Sequence, residues 1–142
     1  MRTSWLTPEQ IQLRDMLNRM HEKGPVSAEQ LAELGIFGAT LPEEYGGLGF
    51  RITEATVIAE ALGRARNTAP YLETAIIAGD LIARLGSDAQ RGRWLPRIAD
   101  GSLKVALAFP EKLHFNLFSP AMTARRTGDG FALDGVKEPV AW

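Results

Sequence analysis

The sequence predicts a mainly α fold: five helices, followed by a short, truncated antiparallel β segment. Three observations carry the prediction. Apolar residues recur at helical spacing as far as Ile98. Helix starts at Thr7-Pro8-Glu9-Gln10, Ser27-Ala28-Glu29-Gln30 and Ser87-Asp88-Ala89-Gln90 alternate with glycine stops at Gly24, Gly35 and Gly86. After Gly101 the period changes from helical to alternating.

In the first helix, Leu13, Met16, Leu17 and Met20 fall at i, i+3, i+4 and i+7 and make one apolar face, which Gly24-Pro25 ends. The second helix is short and stops at Gly35. A glycine-rich, otherwise apolar stretch follows, from Gly35 to Phe50, with Pro42, Gly46, Gly47 and Gly49 giving an ordered loop with a specific path. Ala55, Ile58, Ala59 and Leu62 form the stripe of a third helix. Pro70 opens a fourth, where Ala75, Ala78, Leu81, Ile82 and Leu85 lie on one side with Leu72, Ile76 and Gly79 nearby. So wide an apolar sector predicts a central, buried helix. The fifth carries Trp94, Leu95 and Ile98, and Pro96 predicts a kink or a split in it.

Beyond Gly101, Leu103, Val105, Leu107 and Phe109 alternate with Lys104, Ala106 and Ala108 as in a strand. Residues 120–127 read as extended, Gly128-Asp129-Gly130 as a hairpin turn, and Phe131-Ala132-Leu133-Asp134 as the returning strand. Three short strands cannot enclose a core of their own. The organisation is therefore a helical domain over residues 1–101 and the start of a β domain over 102–142, with no repeat, low-complexity tract or flexible linker.

Composition narrows the function classes. Apolar content of 45% and charged content of 23% indicate a globular chain rather than a disordered one. A formal net charge of −1 gives no general attraction to nucleic acid or anionic membrane. The chain has no cysteine, so disulfides, thiolate metal sites and cysteine nucleophiles are excluded. Met1-Arg2-Thr3-Ser4-Trp5 lacks a signal-peptide apolar run, and no segment approaches the roughly 20 apolar residues of a membrane span. The expectation is a soluble cytoplasmic protein.

No motif taken alone marks an active site. Gly46-Gly47-Leu48-Gly49 follows no strand, and both G-x-G-x-x-G and the P-loop are absent. Glu43, Glu44 and Tyr45 read as a solvated acidic pair beside a turn, with a ligand contact as the alternative. His21 stands late in the first helix, where a surface cation suits the helix dipole. His114, beside Leu113 and Phe115, has no metal-ligand spacing around it. Arg91, Arg93 and Arg97 read as a solvated face, with contact to a ligand phosphate as the alternative. Proton abstraction from carbon needs a positioned carboxylate or another base. Glu54, Glu60, Glu73 and Glu111 are the carboxylates available, and none has a partner pattern that marks it.

The order and spacing of several modest motifs nevertheless resemble one family. They are Leu6-Thr7-Pro8-Glu9-Gln10, Pro42-Glu43-Glu44-Tyr45-Gly46-Gly47-Leu48-Gly49, Leu85-Gly86-Ser87-Asp88-Ala89-Gln90, Trp94-Leu95-Pro96-Arg97-Ile98-Ala99-Asp100-Gly101 and Gly128-Asp129-Gly130-Phe131-Ala132-Leu133-Asp134-Gly135-Val136-Lys137. Together they resemble the amino-terminal helical domain and first β segment of the acyl-CoA dehydrogenases. Glu60-Ala61-Leu62-Gly63-Arg64 and Ala69-Pro70-Tyr71-Leu72 are similar to the wording of pimeloyl-CoA dehydrogenase small subunits.

The resemblance implies an FAD-dependent oxidoreductase on acyl-CoA thioesters that works as a homo- or hetero-oligomer of acyl-CoA dehydrogenase subunits, with no nucleic-acid partner and no metal. It implies that the catalytic base lies in a carboxy-terminal helical domain, so that no catalytic residue belongs to this stretch. It places the cofactor-binding positions at Ala108, Phe109, Phe115, Asn116, Val140 and Ala141. There the wording departs from the family. Phe109-Pro110-Glu111 stands where Thr-Glu-Pro is typical, His114-Phe115-Asn116 where Gly-Ser-Asp is typical, and Pro139-Val140-Ala141 where Trp-Ile-Thr is typical. Phenylalanine offers no hydroxyl to a flavin but can pack against an aromatic ring. The alternative function is a non-catalytic, flavin-deficient subunit that supports a catalytic partner.

Overall fold

A computed structural model describes residues 5–111 and 120–141. The chain divides into two compact units, Met1–Val105 and Ala106–Trp142. The first holds helices α1 (Pro8–Glu22), α2 (Ala28–Glu33) and α3 (Ile52–Arg64), a π-helix (Tyr71–Gly79) that runs directly into α4 (Asp80–Leu85), and α5 (Asp88–Ala99). A 3₁₀ turn, Glu43–Tyr45, lies in the glycine-rich loop. No helix among the described residues is long and apolar enough to cross a membrane.

Local chemistry sets the helix ends. Thr7, Ser27 and Ser87 each accept the amide of the glutamine three residues on, and each glutamine side chain accepts the cap residue's own amide. A cap of this kind contributes about 1 kcal/mol. Gly35 takes φ +74° after α2, and the amides of Gly35 and Ile36 return to Ala32 O and Leu31 O. The same pair of bonds closes α3, with Arg66, at φ +53°, in the position that glycine usually fills. Gln10 also donates to Glu54 Oε1 at 2.6 Å, while Glu54 Oε2 accepts the Arg51 amide, so the starts of α1 and α3 are joined.

The core has two clusters bridged by the glycine-rich loop. Leu17, Leu31, Ile58, Leu62, Tyr71 and Ala75 enclose Ile36, Phe37 and Ala39 of the loop. Leu41, further along it, packs with Leu95, Ile98 and Ala99. Phe37 and Tyr71 meet edge to face, with ring centroids 6.5 Å apart.

Four sequence expectations need correction. The fourth helix is buried at Tyr71, Thr74, Ala75 and Ala78, yet Leu72, Ile77, Leu81 and Leu85 are exposed, Leu85 at 78%. Its first nine residues are π-helical, so each turn takes in an extra residue and the face read at 3.6-residue spacing drifts away from the core. Ala59, placed on the α3 stripe, is exposed, and Val57 and Ala61 are buried instead. Pro96 does not split α5, which continues from Asp88 to Ala99. Residues 103–109 are not a strand. Thr74, fully buried, both donates its hydroxyl to Val105 O at 3.0 Å and accepts the Val105 amide at 3.1 Å, so one side chain takes both backbone groups that a ladder would have used.

In the second unit, β1 (Thr123–Thr127) pairs antiparallel with β2 (Gly130–Asp134), Thr123 opposite Asp134 and Thr127 opposite Gly130. Every residue of both strands is exposed. A lone two-stranded pair burying nothing is marginal by itself. The carboxylate of Glu111 supplies other ties, described below.

Candidate functional site

The glycine-rich loop is a structural knot. The amides of Gly46, Gly47, Leu48 and Gly49 donate to Glu43 O, Pro42 O, Gly38 O and Leu41 O. Those four donors are committed inside the loop and so are not free to cradle a phosphate. A Cβ on Gly47 would stand 2.0 Å from Leu41 O, so close approach of two backbones explains that glycine. Glu43 and Glu44 are exposed beside the turn.

The histidine of α1 ties distant parts of the helical unit together. His21 Nδ1 lies 2.8 Å from Leu17 O, a group that only accepts, so Nδ1 carries the hydrogen. Nε2 then accepts from Asn67 Nδ2 at 3.2 Å, and the same Asn67 amide donates to Val26 O. Asn67 Oδ1 accepts the Ala69 amide. The bland wording of Arg66-Asn67-Thr68 conceals this latch, because its partners lie more than 40 residues away in sequence. Arg91 is held by Asp88 and by Ala83 O, and Arg93 and Arg97 are exposed.

The carboxylates sort by partner. Glu54 is a helix-start residue whose pKa the Gln10 side chain lowers. Glu60 faces Arg64 one turn on. Glu73 is half-buried on the π-helix. Glu111 accepts the amides of Ala121, at 2.5 Å, and Met122, at 3.0 Å, and pairs with Lys137 Nζ at 2.8 Å. The Lys137 contact first, and then the two amides, bring its pKa down to about 2. A carboxylate so committed is a poor proton acceptor. An open depression of about 440 Å³ on the helical unit is lined by Glu29, Glu33, Asp100 and Lys104. Three carboxylates against one ammonium do not suit the phosphates of CoA. No group of His, Cys, Asp or Glu among the described residues is arranged to hold a metal ion.

Of the six positions that the resemblance assigns to the cofactor, Phe115 and Asn116 lie outside the described residues, as does His114. Ala108, Phe109, Val140 and Ala141 are all exposed, Phe109 at 47% and Val140 at 42%. The two stretches that carry them, some 30 residues apart, are tied together. The Glu138 amide donates to Pro110 O at 2.8 Å, and the Glu111–Lys137 pair sits next to that bond. Gly135, at φ +141°, passes so near Met122 that a Cβ would stand 2.8 Å from Met122 Cα. None of the four side chains carries a hydrogen-bonding group.

Comparison with known proteins agrees with this architecture. Residues 11–102 match the family described as the acyl-CoA dehydrogenase N-terminal domain. The acyl-CoA dehydrogenase FadE12 of Mycobacterium tuberculosis (strain ATCC 25618 / H37Rv) is 37% identical over 121 residues, which are 84% of this chain and 31% of that protein. The chain thus spans about a third of the length of that relative. Among solved structures, an acyl-CoA dehydrogenase complexed with FAD from Bacillus anthracis shares the fold with a TM-score of 0.86 at 22% identity, over 99% of this chain and 27% of that one. The ChsE4-ChsE5 complex from Mycobacterium tuberculosis gives a TM-score of 0.77 at 25% identity, over 95% of this chain and 39% of that one.

Proposed function

The chain belongs to the acyl-CoA dehydrogenase family, and from that premise we propose that it is part of an FAD-dependent enzyme that dehydrogenates an acyl-CoA thioester between its α and β carbons. The helical unit contributes a wall of the acyl-CoA pocket, and Ala108, Phe109, Val140 and Ala141 face the flavin; the resemblance also assigns Phe115 and Asn116 to the cofactor, and both lie outside the described residues. The observation that carries this reading is the Glu138–Pro110 backbone hydrogen bond, which joins the two stretches on which these four exposed apolar side chains stand.

Bound there, FAD supplies the acceptor for the β-hydride. This chain's own part is to exclude water and to orient. Apolar side chains lower the local dielectric and strengthen the polar contacts that other residues make. The family resemblance puts the base in a carboxy-terminal helical domain; of the carboxylates here, Glu54 caps a helix, Glu60 has an ion-pair partner, Glu111 is held as a carboxylate by three donors, and Glu73 stands half-buried on the π-helix.

The lack of any side-chain donor at the four positions favours a second reading, a flavin-deficient subunit that supports a catalytic partner. Expression of the complete reading frame, alone and with candidate partner subunits, separates the two. Stoichiometric yellow flavin on the homo-oligomer supports the first. Flavin that appears only with a partner supports the second.

A further inference from the structure

We propose that Glu111 is the positioning residue of the flavin-facing surface: its carboxylate collects Ala121, Met122 and Lys137 and so holds residues 108–110 beside 138–141. The inference rests on the reading of those stretches as flavin-facing.

The argument starts from what else holds the second unit. The β1–β2 pair is exposed along its whole length, with Phe131 at 68% and Leu133 at 66%. It therefore contributes little burial, and two strands alone are marginal. Outside that pair, hydrogen bonds among the described residues join distant parts of the unit and end on residues 110–111, beside the close approach of Gly135 to Met122. Glu111 accepts two consecutive amides 10 and 11 residues on and an ammonium 26 residues on. Pro110 O accepts the Glu138 amide, immediately after Lys137. The two members of the ion pair are largely shielded, at 12% and 24% side-chain exposure, unlike the open pairs of the helical unit such as Arg84–Asp80. Charge-assisted bonds to a shielded carboxylate are the strong class, and removing the carboxylate leaves an ammonium and two amides without their acceptor. The depressed pKa of Glu111 agrees with that count of donors. Residue 111 is two positions from Phe109, and Lys137 is three from Val140, so this one carboxylate sets the spacing of the two apolar stretches.

The test uses the complete protein with Glu111→Ala, Glu111→Gln and Lys137→Met. Amide hydrogen exchange at Ala121, Met122 and Glu138 is read first, because it needs no cofactor. Exchange at least tenfold faster in Glu111→Ala is expected, with Glu111→Gln intermediate because its carbonyl oxygen still accepts. The FAD retained through purification, and the position of its visible absorption band, are read next. FAD content should fall by more than half in Glu111→Ala, with partial rescue in Glu111→Gln, while helical circular dichroism stays at the wild-type value. Unchanged exchange at all three amides overturns the proposal, as does faster exchange with wild-type flavin content and spectrum. If wild-type protein takes up no FAD in any assembly, the flavin-facing reading fails, and the exchange measurement alone decides whether Glu111 positions the two stretches.

Discussion

Replacing Gly47 by alanine puts a methyl group where a backbone carbonyl already stands. The added Cβ would lie 2.0 Å from Leu41 O, 2.4 Å from Leu41 C and 2.8 Å from Leu41 Cβ. None of these is the loose end of a flexible side chain. Leu41 is 1% exposed and packs on Leu95, Ile98 and Ala99, so it has nowhere to retreat. Overpacking a filled site costs about 1–3 kcal/mol. The carbonyl that must move also accepts the Gly49 amide at 3.0 Å, and losing that bond costs about 1 kcal/mol. Stiffening of the unfolded chain returns about 0.4–1 kcal/mol. The net loss is about 2–3 kcal/mol, which lowers Tm by about 10–20 °C in a unit of this size. The assay is thermal melting followed by far-ultraviolet circular dichroism. Gly63→Ala serves as control: that glycine lies inside α3, and nothing is within 4 Å of its Cβ position, so it should gain about 0.5–1 kcal/mol. A Gly47→Ala melt within about 2 °C of wild type would refute the close-approach reasoning, since that corresponds to well under 1 kcal/mol.

Three further outcomes follow from single side chains. Thr74→Val keeps the shape and strands both Val105 backbone groups, for a loss of about 2–4 kcal/mol, whereas Thr74→Ser should lose far less; urea denaturation distinguishes them. The Tyr71 hydroxyl is buried with no hydrogen-bond partner among the described residues, and burial pushes its pKa up. Tyr71→Phe should therefore be neutral or stabilising by about 1 kcal/mol in the same assay, and a loss larger than that would show an unseen partner. Glu111 has a folded-state pKa below its unfolded value, so its contribution is fully present above about 4.5 and is lost as pH falls toward 2. Exchange protection at Ala121 and Met122 should fade over that window in wild type and show no such step in Glu111→Gln.

Much of the helical unit is legible because its signals are local. The capping residues Thr7, Ser27 and Ser87 act on amides three positions away, and Gly35 needs only its own φ, so each can be read from a few neighbouring letters. The glycine-rich loop is legible as an ordered turn, but not as the bridge between two core clusters, because Leu41 meets Leu95 only after folding. Of the candidate site, the letters select the positions, yet Ala108 and Val140 carry no sign of each other. The Pro110–Glu138 bond that brings their stretches together joins residues 28 apart.

By itself, the sequence determined the family, the five helices, the starts at Thr7, Ser27 and Ser87, the stops at Gly35 and Gly86, and the β hairpin, all from short-range patterns. Only the tertiary structure decided which face of Tyr71–Leu85 is buried, because π-helical turns alter the period. It decided that residues 103–109 are not a strand, because the Thr74 hydroxyl takes the groups of Val105 that a neighbouring strand would need. It also gave Glu111 a clamp in place of a base, since a carboxylate's role is set by the donors that reach it, and here those donors come from residues 10 to 26 positions away.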